Sequence, residues 1–534
     1  MPHSTTPISA ARTTPPTPGG LLRATLTARG RRRSVVLGTA GLMGHQIAEM
    51  LVPVVVGATI DGAVLTRDAG ALAGWLAVLA VLFVVLTLSW RLGLTRTTGA
   101  YLSAEHDLRQ QVVTRVLDRR GGPARAPGAT LSLATSDAAR VAGTTWLLAA
   151  QLAAAAAVVT AAVSLIAVSA PLALALGLGV PLAVWLMHRL AAPLERRSTR
   201  EQSRAADAAG LAADLVAGMR VLQGLGAAAT AAHRYRGASR DLLDSRVGAA
   251  RAKAWYDAGS EVASGVLVAV VALAAGWLTL RGALTVGQLV TVVGVVQTVQ
   301  TPLTQIGQLM VSLAQRRASA ARLCAALGAP PVLPAPTLPG PADPHALTLR
   351  LDDGPVTVRR GEVVGLHADL PGADDLVEVL GARMPARPGQ VLLDEICATA
   401  LGPRLRDTVH APPRDAHLFA GTLAEIVAPH TGPDPALLRA AVLDDVVALL
   451  PDGTASPVRA GGTDLSGGQR DRVRLARALH RPEPFLVLHE PATAVDSVTE
   501  VALAAGLRAR PDKGVLVVTD SPALLAACDR VVTR

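Results

Sequence analysis

Asp464-Leu465-Ser466-Gly467-Gly468-Gln469-Arg470 runs straight into Arg472-Val473-Arg474-Leu475-Ala476-Arg477-Ala478-Leu479, a helix-forming stretch in the last fifth of the chain. Serine is a favoured helix N-cap, two glycines let backbone amides come close to an anion, and a helix N-terminus adds positive potential. The segment is therefore built to hold a phosphate. The plain alternative is a glycine turn before an ordinary helix, and the apolar strand-like run Phe485-Leu486-Val487-Leu488 downstream weighs against it. The chain has only two lysines, Lys253 and Lys513, and neither follows a glycine-rich loop as a phosphate-gripping lysine must. One half of a nucleotide site is present, and the lysine half is missing.

Working outward, 534 residues exceed what one core supports and imply at least two domains. Half of the residues are hydrophobic, yet the net charge is +10 and mean hydropathy is +0.39, so apolar and basic residues must be segregated along the sequence. That segregation fits a membrane protein with basic cytoplasmic faces. A soluble nucleic-acid binder would also be basic, but aromatics make up 2% and the uncharged runs are too long, so no nucleic-acid partner is expected. Cys324, Cys397 and Cys528 lack metal or disulfide spacing and read as buried structural thiols.

Residues 1–20, rich in Pro, Thr and Ser, read as a disordered tail. Arg29, Arg31, Arg32 and Arg33 precede the first apolar run and place the N-terminus in the cytoplasm; that run is long enough to span and lacks a signal-peptide cleavage site. Six spans can be drawn, at 34–60, 71–93, 144–169, 172–190, 262–280 and 286–309, each near the roughly 20 residues a bilayer needs. Between Thr144 and Met187 no residue is ionisable, so two helices should turn tightly near Ser169-Ala170-Pro171. The segment after span two carries Arg96, Arg109, Arg115, Arg119 and Arg120, and that after span four carries Arg196, Arg197, Arg200, Arg220 and Arg240. Both termini are expected in the cytoplasm of a plasma-membrane protein.

Those two basic segments are long, amphipathic and helical in pattern, and the second holds Gly210 and Gly218 where a short transverse helix would join two long ones. This layout, with the Leu465–Gln469 segment, resembles the exporter class of ABC transporters. Further matches are Leu51-Val52-Pro53, Asp61-Gly62, Asp107-Leu108-Arg109, Thr135-Ser136-Asp137, Leu284-Thr285-Val286-Gly287-Gln288 and Ser319-Ala320-Ala321-Arg322. The resemblance covers about residue 21 to the end. It implies an α-helical six-span transmembrane domain (21–324), a Pro-rich linker (325–344) and an α/β P-loop-type ATPase domain (345–534), short for its kind and lacking an early aromatic to stack on adenine.

Measured against the family's ATPase motifs, the C-terminal domain is degenerate. Gly361-Glu362-Val363-Val364-Gly365-Leu366 resembles the strand entering a P-loop, but Ala373 falls at the lysine position and Asp374 and Asp375 at the Ser/Thr positions. Carboxylates facing a triphosphate without a lysine oppose ATP–Mg2+ binding. Arg414 stands at the Q-loop glutamine, His489 at the Walker B aspartate and Asp520 at the switch histidine, leaving Glu490 as a relic. Asp496 matches the D-loop, which the family places at a dimer contact.

In this family two ATPase domains pair head to tail, each ATP lying between one P-loop and the other chain's signature. The resemblance therefore implies a chain inactive alone, presenting Ser466, Gly467, Gly468 and Gln469 to ATP and Mg2+ held by a second half-transporter with intact Walker motifs. Two alternatives stay open: an ATP-independent regulator or receptor on the exporter fold, and a siderophore-type importer. The cargo, a small molecule or peptide, is expected to meet the polar face Gln297, Gln300, Thr301, Thr304 and Gln308, unless that face serves hydrogen bonds between helices. His45 and Glu49, one turn apart in span one, face either a cavity or the wet cytoplasmic end.

Overall fold

The computed structural model of the chain describes residues 17–28, 30–122, 127–171, 207–351 and 354–532, with scattered positions between 172 and 206. Two compact units emerge, Met1–Val112 with Pro127–Leu327, and Val113–Ala126 with Gly328–Arg534.

The first unit is helical. Pro18–Thr27 is a helix capped by Thr17, whose hydroxyl accepts from the Gly20 amide, with proline at the first helical position. Residues 18–20 of the stretch read as a tail are thus helical. Four described segments are long and apolar enough to cross a membrane: Arg31–Val64, Ala69–Val116, Gly128–Val168 and Val286–Ile306. Gly265–Leu280 is a shorter apolar end of the long helix Ala228–Leu280, and the expected span 172–190 falls almost wholly outside the described residues. Between Gly218 and the left-handed Gly226 lies a six-residue helix, Met219–Gly224. The last helix of the unit runs on to Leu327, so the proline linker starts later than 325; Ala325, Ala326 and Leu327 sustain the helix until Pro330 blocks it.

Lipid offers little hydrophobic drive for helix pairing, so close backbone approach between small residues does much of the work. A Cβ on Gly57 would overlap Gly287 O, and one on Gly287 would overlap Gly57 O, so helices Arg31–Thr59 and Val286–Gly307 touch backbone to backbone. Asp61 fastens the same junction, accepting from the Gly287 amide at 2.8 Å and from the Thr285 hydroxyl at the positive end of the second helix. Gly287→Val should cost about 2 kcal/mol or more and abolish a monodisperse peak in size-exclusion chromatography of the solubilised protein. Gly74→Val, at a helical glycine with nothing within 4 Å, should leave the peak unchanged. Elsewhere, Asp137, 3% exposed, accepts from Arg322 Nε at 3.0 Å, joining two motifs far apart in sequence.

The second unit is α/β. A five-stranded parallel sheet runs in the order Arg530–Val532, Val363–Leu366, Gly514–Val518, Phe485–His489, Val409–His410. Its central strands are near-continuous Val and Leu runs, buried as parallel strands covered on both faces are. A four-stranded antiparallel sheet, Gly354–Arg359, Ala346–Leu351, Val391–Leu393 and Ile396–Cys397, shares its core cluster. Segment 113–122 belongs here: the Leu333 amide donates to Arg120 O at 2.8 Å and Arg406 to Arg119 O at 2.9 Å. The register pairs Val518 with both Leu366 and His489, so three strands end side by side. Crevices at the carboxyl ends of parallel strands are where α/β sheets bind ligands.

Candidate functional site

The residues read as degenerate gather at that carboxyl edge. The loop after Val363–Leu366 leads through left-handed Gly372 into helix Ala373–Leu380. Ala373 is buried at 4%, whereas Asp374 and Asp375 are exposed in the first turn. His489 Nε2 lies 3.1 Å from Asp374 Oδ1. Glu490 adopts positive φ, 49°, donates its amide to Val518 O at 2.9 Å, and accepts the Asp520 amide on Oε1 at 3.1 Å. Arg414 donates to Thr493 Oγ1 at 3.1 Å, and that hydroxyl donates to Glu490 O at 3.0 Å.

Asp520 closes this network, and its role is not visible in the sequence. Its Oδ1 accepts the Ala368 amide at 3.0 Å and the Asp369 amide at 3.3 Å, and lies 2.9 Å from His367 Nδ1. Desolvation opposes its charge, but the bonds from His367 and the two amides prevail and hold the carboxyl below the ordinary carboxylate range. The His367 ring and the Ala368 and Asp369 amides are thus met from within the chain. This edge carries carboxylates at 369, 374, 375, 490 and 520 and no lysine.

Both lysines of the chain are engaged. Lys253 pairs with Asp257 at 2.5 Å in the helical unit. Lys513, 1% exposed, precedes the strand Gly514–Val518 at its opposite end and donates to the carbonyls of Arg481 and Glu483 at 2.5 Å each. Burial pulls its ammonium down to about 8. Lys513→Met should strand both carbonyls, destabilising this unit by about 2 kcal/mol and lowering its melting temperature without touching the carboxyl edge.

The segment 466–469 opens a helix of its own. Ser466 caps helix Gly467–Leu479 in a reciprocal capping box: its Oγ accepts the Gln469 amide at 3.2 Å and its own amide donates to Gln469 Oε1 at 2.8 Å. Ser466 is exposed, and the helix buries Val473, Leu475, Ala476 and Leu479. Gly468 is small for a reason, since a Cβ there would stand 2.8 Å from Ala494 O. Asp496 caps helix Ser497–Gly506, accepting the Val498 and Thr499 amides at 3.1 and 3.0 Å. Beside His489 and Glu490 a cavity of about 600 Å³ opens, bordered by Arg406, Arg414, Arg474, Arg477 and Arg481. The run of arginines at 474, 477 and 481, at the end of the helix and just past it, was the available signal for it.

In the helical unit, Gln297, Thr301, Thr304 and Gln308 are exposed and Gln300 is half-buried, on a helix containing Pro302. His45 lies with Nδ1 3.0 Å from Leu86 O and its ring 5.0 Å from that of Trp90, while Glu49 is half-buried; the two make no ion pair.

Residues 35–303, just over half of the chain, match the family model of the ABC transporter transmembrane region. The chain belongs to the ABC transporter family. The transporter is 32% identical over 277 residues to the mycobactin import ATP-binding/permease protein IrtB of Mycolicibacterium thermoresistibile, covering 48% of each chain. It is 29% identical over 374 residues to the IrtB protein of Mycolicibacterium smegmatis, covering 65% of this chain and 64% of that one. To a multidrug efflux ATP-binding/permease protein of Mycobacterium bovis it is 27% identical over 532 residues, 94% of this chain and 44% of that one. The transporter spans between about two fifths and two thirds of the length of these relatives. It is a membrane protein with a helical transmembrane domain followed by an α/β region.

Proposed function

We propose that this chain is the catalytically degenerate half of a heterodimeric ABC exporter. It presents Ser466, Gly467, Gly468 and Gln469 to ATP and Mg2+ held by a second half-transporter with intact Walker motifs, and both membrane domains line the path of a small amphiphilic or peptide-like cargo. The observation that carries the reading is the contrast within one domain: the 466–469 capping box is complete, while the carboxyl edge holds Ala373, Asp374, Asp375, His489 and Asp520 where a triphosphate and metal need a lysine and metal ligands. Glu490 serves there as a turn residue, and Asp496 contributes to the dimer contact. Six spans, with both termini in the cytoplasm of the plasma membrane, complete the arrangement. Co-expression with a half-transporter carrying the P-loop lysine and Walker B acids tests it: a stable mixed complex with ATPase activity is expected, and failure of the two halves to associate overturns it.

Import is a second reading, favoured by the two relatives named for mycobactin import. Uptake of a labelled siderophore by cells or inverted vesicles fixes the direction. The cargo path is proposed to include His45, Glu49, Gln297, Gln300, Thr301, Thr304 and Gln308. Because ionisable groups at such depth are kept where they meet a cavity or partner, the paired change His45→Ala and Glu49→Ala should lower cargo-stimulated ATPase of the complex about tenfold while basal ATPase holds within about twofold. Unchanged stimulation removes the two residues from the path.

A further inference from the structure

The carboxyl edge is more than a site that has lost residues, because its loop donors are engaged. Ala368 and Asp369 present successive backbone amides, the arrangement that makes an anion-binding concavity, and His367 adds a ring nitrogen. All three converge on one oxygen, Oδ1 of Asp520. The backbone holds that oxygen in place: Thr519, fully buried, donates its amide to Leu366 O at 2.9 Å, and the Asp520 amide donates to Glu490 Oε1. Asp520 thus follows the central strand by one residue, and its backbone is tied on both sides to neighbouring strand ends.

We propose that Asp520 is a resident anion, its carboxylate taking the loop amides that an external phosphate would need, and that it determines the refusal of phosphate by this face of the domain. The inference deepens the proposed reading of this chain's own nucleotide half and rests on it. An incoming phosphate must displace Asp520 from three donors and then meet Asp369, Asp374 and Asp375 with no lysine to offset them. The low-lying Asp520 carboxyl agrees with a charge stabilised by its donors. His367 is part of the same device, its Nδ1 lying 2.9 Å from the same oxygen.

Hydrogen exchange of the full-length solubilised chain reads this directly. In the wild type, the amides of 368 and 369 should exchange slowly without any ligand, and millimolar inorganic phosphate should change nothing. In Asp520→Ala they should exchange roughly tenfold faster or more, the factor expected for losing a charge-assisted hydrogen bond, and phosphate should slow them again. Asp520→Asn keeps an acceptor oxygen and should fall between the two. Slow exchange of Gly514–Val518 shows that each variant is folded; where it is lost, the wild-type arm decides alone. Fast exchange of 368 and 369 in the wild type, or their further slowing by phosphate, overturns the proposal. Either result leaves the partner's ATP site against Ser466 untouched, since that reading fails only in assembly and ATPase measurements.

Discussion

With Ser466 changed to arginine, steady-state ATPase of the assembled transporter is expected to fall about a hundredfold or more. The capping box fixes the exposed Ser466 at the head of the helix, where on the proposed reading a phosphate carried by a partner chain would approach. Arginine removes the cap and fills that approach with bulk. Loss of the cap alone costs about 1 kcal/mol. The buried face of helix Gly467–Leu479 can absorb that, so the complex should still assemble. Ser466→Ala, which removes the cap without adding bulk, should lose far less activity than the arginine variant. Adding Gly468→Asp should deepen the loss by placing a carboxylate beside a trianion, but its Cβ would also press on Ala494 O, so Ser466→Arg is the cleaner variant. Phosphate release, normalised to assembled complex, checks the expectation.

Purified without a partner, the chain should turn over no measurable ATP and retain no ATP–Mg2+ in equilibrium binding with labelled nucleotide. Phosphoryl-transfer sites work by neutralising and positioning the phosphates. Here Asp374, its side chain 86% exposed, and Asp375 would face the triphosphate, and the donors of the 367–369 loop are spent on Asp520. Ala373→Lys alone is not expected to restore binding. Its Cβ starts from a buried position, and every carboxylate remains. Robust turnover by the homogeneous chain would show that the carboxyl edge binds nucleotide after all.

Local chemistry was legible in the sequence and long-range partnership was not. The helix beginning at Ser466 follows from a serine cap and a glutamine three residues on, a pattern that acts within one turn. Membrane-crossing helices follow from apolar runs such as Ala69–Val116, and the buried parallel strands from Val and Leu runs such as Val515–Val518. Asp520 was legible only as a departure from a motif, because its partners lie some 150 positions away, across the register of two strands. The same holds for Asp137 with Arg322 and for Asp61 with Gly287: each residue was singled out, but its contact depends on helix packing that periodicity does not encode. Segment 113–122 reads as part of a long amphipathic helix, and nothing in its composition reveals that its carbonyls would satisfy Leu333 and Arg406.

The most direct test of the account is Glu490→Gln in this chain, measured beside the equivalent change at the partner's Walker B glutamate in the same assembled transporter. Glutamine keeps the oxygen that accepts the Asp520 amide, so the turn at 490 should survive and any loss of rate would report catalysis. ATPase is expected within about threefold of wild type for Glu490→Gln, and about a hundredfold or more lower for the partner's change. Equal losses from the two would contradict it, because the edge formed by Ala373, Asp374, His489, Glu490 and Asp520 would then be a working catalytic site.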